Sequence, residues 1–301
     1  MTFRASPLPL LLAASAIAFA ASPAWPAGEA KMYAITDWSL GNLGVPGACA
    51  ASDRPDWDDM VDGWYDAVDD YGFFFKDGRM VNGNFTRSVL CDPDTNLPGC
   101  DDGDRLDDAD AAIVALHGSD SGNHWRGSLR LNGSPAFSDC GIDAPEGNSG
   151  EMFLGDMDLE FLHLSSCHSM DDDNLSETWR MFQDPVDSPK NGHRLHMATG
   201  FHGLMWISSG RDDDYESFAY GGQFLMAYSW LDSLYDWDVN GDDYEQCPVA
   251  YAIGANENDC VNRLTTEGYG HIVNPDPKIS YTCAMWYEGC DPAGDGPFSL
   301  D

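Results

Sequence analysis

The sequence predicts an α/β fold built on a mostly parallel sheet with helices on both faces and disulfide-stabilised loops. Three observations lead there. The runs "AAIVALHG" and "LEFLHLSSC" are apolar without alternation, as strands buried on both faces require. Stretches with helical apolar spacing fall between and around such runs, the order expected of βαβ units. Most cysteines sit in Gly-, Pro- and Asp-rich surroundings, where loops are stapled in exported proteins.

Residues 1–27 read as an export signal: Arg4 in a short n-region, an apolar stretch from Leu8 to Ala20, and small residues at Ala18 and Ala20 suited to cleavage. The expected location is secreted or periplasmic. No later segment supplies the ~18 consecutive apolar residues of a membrane span. No repeat or low-complexity linker divides residues 28–301, so one domain is expected, ending in an acidic, disulfide-bonded C-terminal extension. "KMYAITDW", Lys31 to Trp38, predicts the first strand. Met60, Val61, Trp64 and Val68 recur at helical spacing and predict an amphipathic helix over Trp57 to Tyr71. An extended segment follows at "YGFFFKDG", then an acidic loop from Cys91 to Asp110. Three buried strands are expected at "AAIVALHG", "LEFLHLSSC" and "LHMATGFHGLMWIS". A helix over Leu175 to Gln183 separates the last two, and a longer one over Phe218 to Trp230 comes after them.

Fifteen basic residues face 51 acidic ones, a net charge of -36. A nucleic-acid partner is excluded by repulsion from the phosphate backbone. Runs such as "DDGDRLDDAD" and "SMDDDN" read first as a solvated acidic surface, then as calcium ligands, then as a field that draws in cationic substrates. Nine cysteines in an exported chain imply an oxidised framework with one thiol left over. The local pairs favoured are Cys91 with Cys100 and Cys283 with Cys290. Cys167, at the end of an apolar run, is the expected free thiol.

In parallel sheets, ligands bind outside the carboxyl ends of the strands. The run at "AAIVALHG" ends in His117 and Gly118, and the run at "LEFLHLSSC" ends in Cys167. A cysteine nucleophile needs an imidazole to take its proton and a donor for the developing oxyanion. His117 offers the base, while Gly118, lacking a Cβ, lets its N–H approach a carbonyl oxygen. Ser166, His168, Asp120, Trp125 and His202 are the expected cleft residues, and His202 is also the second choice of base. His163 lies inside its strand and reads as core.

"IVALHGSDSG" followed by "LEFLHLSSCHS" resembles the caspase, legumain, gingipain and clostripain superfamily of cysteine peptidases. Over Ala111 to Ser208 the chain is also similar to an exported bacterial family of caspase-like proteins without an assigned function. The resemblance implies a caspase-like fold, His117 as base, Cys167 as nucleophile and Gly118 as oxyanion or positioning residue, acting on a peptide or protein substrate. Ser166 stands where those peptidases usually carry alanine, and their substrate-pocket signatures are not recognisable. The function expected is an exported cysteine endopeptidase or related acyl-transfer hydrolase, needing no cofactor for catalysis. The alternative, from a different class, is a catalytically inactive secreted binding or surface protein.

No zinc spacing such as C-x-x-C or H-E-x-x-H occurs. In "DWDVNGDD", Asp236, Asp238, Asn240 and Asp242 alternate around Gly241, like the start of a calcium loop, but Cys247 stands where that template has glutamate. A structural calcium ion and an acidic solvated turn are equal readings of it.

Overall fold

A computed structural model describes residues 28–38, 52–93, 99–122, 124–129, 140–144, 151–155, 157–171, 195–235, 246–271 and 281–287. The expected export signal, the helix expected over Leu175 to Gln183, the expected calcium residues Asp236, Asp238, Asn240 and Asp242, and Cys49 and Cys290 lie outside the described residues.

The described residues begin with β1 (Gly28–Ala34), α1 (Trp57–Asp70) and β2 (Phe74–Val81). Then come β3 (Ala111–Ala115), the short strands β4 (Gly118–Asp120), β5 (Trp125–Ser128) and β6 (Gly141–Asp143), and β7 (Phe161–Ser165) and β8 (Met197–His202). The remainder is α2 (Asp212–Gly222), α3 (Met226–Leu234), β9 (Cys247–Gly254), α4 (Glu257–Thr266) and β10 (Tyr281–Met285).

Seven strands form one sheet in the order β10-β9-β8-β7-β3-β1-β2. Strands β2, β1, β3, β7 and β8 are parallel, whereas β9 runs antiparallel to β8 and β10 antiparallel to β9. Strands β4, β5 and β6 make a separate three-stranded antiparallel sheet. The α/β class and the mostly parallel sheet agree with the sequence. Strands β9 and β10 continue the main sheet beyond β8.

Every residue of β3, β7 and β8 is buried, which accounts for their unbroken apolar runs. Along β7, His163 meets Trp64 of α1, Phe218 of α2 and Trp230 of α3, at ring separations of 5.4, 4.8 and 5.9 Å. The opposite face carries Tyr33, Val114 and Leu164 in register. There Phe85, following the single 3₁₀ turn Asn82–Asn84, packs on Tyr33 at 5.5 Å. Among the described residues, helices therefore cover the His163 face, and a turn rather than a helix meets Tyr33. His163 is core: its Nδ1 lies 2.8 Å from Thr199 Oγ1 and its Nε2 3.0 Å from Tyr269 Oη. Burial holds it neutral by pushing its pKa down to about 3.

The helix expected over Phe218 to Trp230 is two helices, interrupted after the weak helix formers Gly221 and Gly222. Cys91 pairs with Cys100 as expected. Cys283 pairs with Cys260, not with Cys290, and so ties β10 to α4. Cys140 and Cys247 are also disulfide-bonded, and Cys167 is a free thiol. No described helix is long and apolar enough to cross a membrane.

Candidate active site at the carboxyl edge of the sheet

From β1 the chain goes to β2 on one side, and from β2 it crosses back to β3 on the other. The loops leaving β1 and β3 therefore diverge, opening the crevice where ligands bind in doubly wound sheets. His117 follows β3 at this point. Strands β3 and β7 are direct neighbours, with Ala115 opposite Ser165, so Cys167 leaves the same sheet edge one strand away.

The loop after β1 supplies the partner of His117. The Arg54 N–H donates to the Thr36 carbonyl at 2.7 Å, and the Trp38 N–H to Asp53 Oδ1 at 2.8 Å. These bonds fix residues 52–54 beside the strand end. His117 Nε2 lies 2.7 Å from the Ser52 carbonyl oxygen. The ring packs against Trp38 at 4.6 Å and Trp57 at 5.3 Å. Burial lowers the pKa of His117; the Ser52 carbonyl opposes that shift and the Arg54 cation adds to it. The orienting group of the imidazole is thus a backbone carbonyl. Asp120, its neighbour in sequence, is exposed and accepts from the Gly122 N–H at 2.7 Å instead.

Cys167 is half-buried. The Met205 N–H points at its sulfur from 3.4 Å, and the thiol faces the Met205 carbonyl at 3.9 Å. Burial pushes the thiol pKa up, while the Met205 backbone and the Arg54 cation pull it down. Arg54 therefore acts on both members of the pair, placing a cation beside them in a strongly acidic protein. Among the described residues, thiol and imidazole make no hydrogen bond to each other.

Beyond the thiol lies a group that the sequence reading did not assemble. His168 takes the left-handed backbone conformation, φ 57°, which is strained for a residue with a Cβ. Its N–H donates to the Gly203 carbonyl at 2.6 Å, and its Nδ1 lies 2.7 Å from Asp171 Oδ2. Asp171 Oδ1 accepts from the Gly203 N–H at 2.6 Å and stands 3.4 Å from His202 Nδ1. Burial alone would raise the Asp171 carboxyl, but bonds from His168, His202 and Gly203 outweigh it and hold the group well below the usual carboxylate range. The Asp171 contact raises His168. This network pins the Gly203–Met205 segment to the Cys167 loop.

The remaining expected residues fall as follows. An added Cβ on Gly118 would lie 2.1 Å from the Cys167 carbonyl oxygen and 2.3 Å from both Ser166 Oγ and Trp125 Nε1. The His-Gly turn thus touches the cysteine loop directly. Ser166 and Trp125 are buried and joined, indole N–H to Oγ, at 3.2 Å. They support the turn from beneath instead of lining the cleft. His202 is buried at the end of β8 and engaged with Asp171, which makes it structural.

The acidic runs are not wholly solvated. Asp171 is one exception, and Asp107, fully buried, accepts the N–H groups of Gly155 at 2.7 Å and Met157 at 3.1 Å. Glu29, Asp77 and Asp108 cluster closely enough to suit a cation, but Lys31 Nζ already lies 3.2 Å from Asp77 and 2.9 Å from Asp108. The sequence alone does not single out Ser52, Arg54, Asp171 or Met205. Only Asp171 carried a signal, a His-x-x-Asp spacing immediately after the cysteine.

The model of a family described as a domain of unknown function (DUF6345) matches residues 66–288, a span that contains His117, Cys167 and Asp171 but not Ser52 or Arg54. No curated protein matches the chain.

Proposed function

The chain belongs to the DUF6345 family, and from that premise we propose that it is an exported, caspase-like cysteine endopeptidase or related acyl-transfer hydrolase working through His117 and Cys167. The observation that carries this reading is the juxtaposition at one sheet edge. A free thiol and an imidazole leave adjacent parallel strands, and Gly118 is pressed against the Cys167 carbonyl.

With Nε2 engaged by Ser52, the base is Nδ1. Both groups rest neutral, the imidazole because burial lowers it and the thiol because burial raises it. His117 therefore acts as a general base during attack rather than as one half of a standing ion pair. The sulfur bonds to the substrate carbonyl carbon as Nδ1 takes the thiol proton, and the carbonyl electron pair moves onto oxygen. His117 O accepts from the Ser128 N–H at 2.7 Å, so the next pair, Gly118 with Gly127, is non-hydrogen-bonded and turns the Gly118 N–H away from β5. That N–H, with the Cys167 N–H, is the donor set for the oxyanion. Collapse breaks the C–N bond, His117 returns the proton to the leaving amine, and water hydrolyses the thioester.

The test is digestion of a peptide library by the mature chain, read by mass spectrometry, beside labelling with a thiol-directed probe. Cleavage lost in Cys167→Ala and reduced roughly 100-fold or more in His117→Ala supports the dyad. Labelling and cleavage indifferent to His117 overturn it. A second reading, a catalytically silent binding or surface protein, is favoured by the half-buried thiol and its lack of a bond to the imidazole. An uncleaved library together with an unlabelled Cys167 is its outcome.

A further inference from the structure

Helix α3 turns a face to solvent that carries Tyr228, Ser229 and Asp232, with Leu225 immediately before the helix. With Phe224 and Tyr287 they line a groove of about 450 Å³. Its rings are unusually open to solvent: Phe224 is 54% exposed and Tyr228 43%. Tyr287 is oriented from two sides, donating its hydroxyl to Asp232 Oδ1 at 3.2 Å and meeting Tyr235 edge-on at 5.3 Å. No residue of the His117–Cys167 pair or of the Asp171 network lines the groove.

Three aromatic rings and one carboxylate line the groove. The faces of aromatic rings carry partial negative charge and attract cations, most strongly planar guanidinium groups. Asp232 keeps acceptor capacity beyond the single tyrosine hydroxyl. No lysine or arginine occurs between Arg211 and Arg263, so this stretch of chain supplies no cation of its own. A purely apolar occupant would strip water from Asp232 without repayment, and a second copy of a chain of net charge -36 would be repelled.

We propose that the groove between α3 and Tyr287 is a docking site for an arginine side chain presented by a partner peptide. The guanidinium stacks on Tyr228 or Tyr287 and forks to Asp232, while the aliphatic stem lies along Phe224 and Leu225. The site is independent of the peptidase reading.

A fluorescent hexa-arginine peptide is titrated into the mature chain at physiological salt and followed by anisotropy, in a Cys167→Ser background so that cleavage does not intrude. Tyr228→Ala and Asp232→Asn are each expected to weaken binding about three- to tenfold. Glu257→Gln removes one exposed charge from the first turn of α4 and should leave binding within about twofold, the effect of one distant screened charge. All three substituted side chains are exposed, and unchanged melting temperatures confirm intact variants. Equal losses in Asp232→Asn and Glu257→Gln with no loss in Tyr228→Ala would mean diffuse attraction to an acidic surface and overturn the site, as would the absence of binding.

Discussion

The Ser52 carbonyl oxygen lies 2.7 Å from His117 Nε2, and that bond decides which nitrogen of the ring can act. A carbonyl only accepts, so Nε2 carries the proton and Nδ1 is left bare. Nitrogen NMR of the labelled protein at neutral pH should show Nδ1 unprotonated. The reverse tautomer would remove the base from the proposed reaction.

A thiol raised by burial predicts a particular pH profile. Alkylation of Cys167 by iodoacetamide should be slow at neutral pH and keep climbing through the ordinary thiol range near about 8.5, because the thiolate forms late. A rate already level from about pH 6 to about pH 8, below that range throughout, would reveal a preformed thiolate and contradict the neutral resting pair.

Asp171→Asn should lower stability by about 2 kcal/mol, since it removes the charge from a largely buried carboxylate that faces two imidazoles. The loss depends on pH. The depressed Asp171 contributes fully above the unfolded carboxyl value near about 3.9 and fades as pH falls below it. The raised His168 contributes fully below the unfolded imidazole value near about 6.5 and fades as pH rises through its folded one. Denaturant melts of wild type and variant should therefore differ most between about pH 4 and 6.5. A difference constant across pH would show that the network is held by packing, not ionisation. The variant should also loosen the Gly203–Met205 segment, seen as faster amide exchange at Met205.

Gly118→Ala places a methyl group against a backbone carbonyl and two buried side-chain atoms, none of which is the free end of a flexible chain. Overpacking of this kind costs about 3 kcal/mol. A melting temperature near that of wild type would mean that the turn does not press on the Cys167 loop.

The double variant Cys260→Ala/Cys283→Ala releases a cross-link spanning 23 residues, worth about 3 kcal/mol in chain entropy and roughly 5 °C in melting temperature. A disulfide map of the protein should return Cys91–Cys100 and Cys260–Cys283 with Cys167 unmodified. A Cys283–Cys290 peptide would contradict the structure.

The sequence made legible those elements whose burial is uniform. Strands β3 and β7 and helix α1 announce themselves because a residue facing the core on every side, or on one helical stripe, must be apolar. Strand β9, "CPVAYAIG", bears the same signature, but its acidic, cysteine-rich flanks read as a loop-rich extension. His117 and Cys167 were legible because strand ends in parallel sheets are where sites form. Their surroundings were not. Ser52 contributes a carbonyl, which every residue possesses, and Arg54 reaches the pair from a loop more than sixty residues away in sequence. Asp171 was hidden in "SMDDDN", a run whose composition suggests solvent exposure although its first aspartate is buried. Only tertiary contact tells that carboxylate from its neighbours.

Among the described residues, strand β10 is the outermost strand on its side of the sheet, antiparallel to β9 and bonded through Cys283 to α4. A load drawn through Tyr287 meets its bond to Asp232 first, then the pairs of Met285 and Ala284, and then the disulfide. A strand at a free edge unzips one pair at a time under such a pull, each pair yielding at low force. Here unzipping halts at the third residue, and the tension passes into α4 and through it to the sheet. Reduction therefore changes the mechanics of the molecule as well as its stability, turning an edge that resists traction into one that peels.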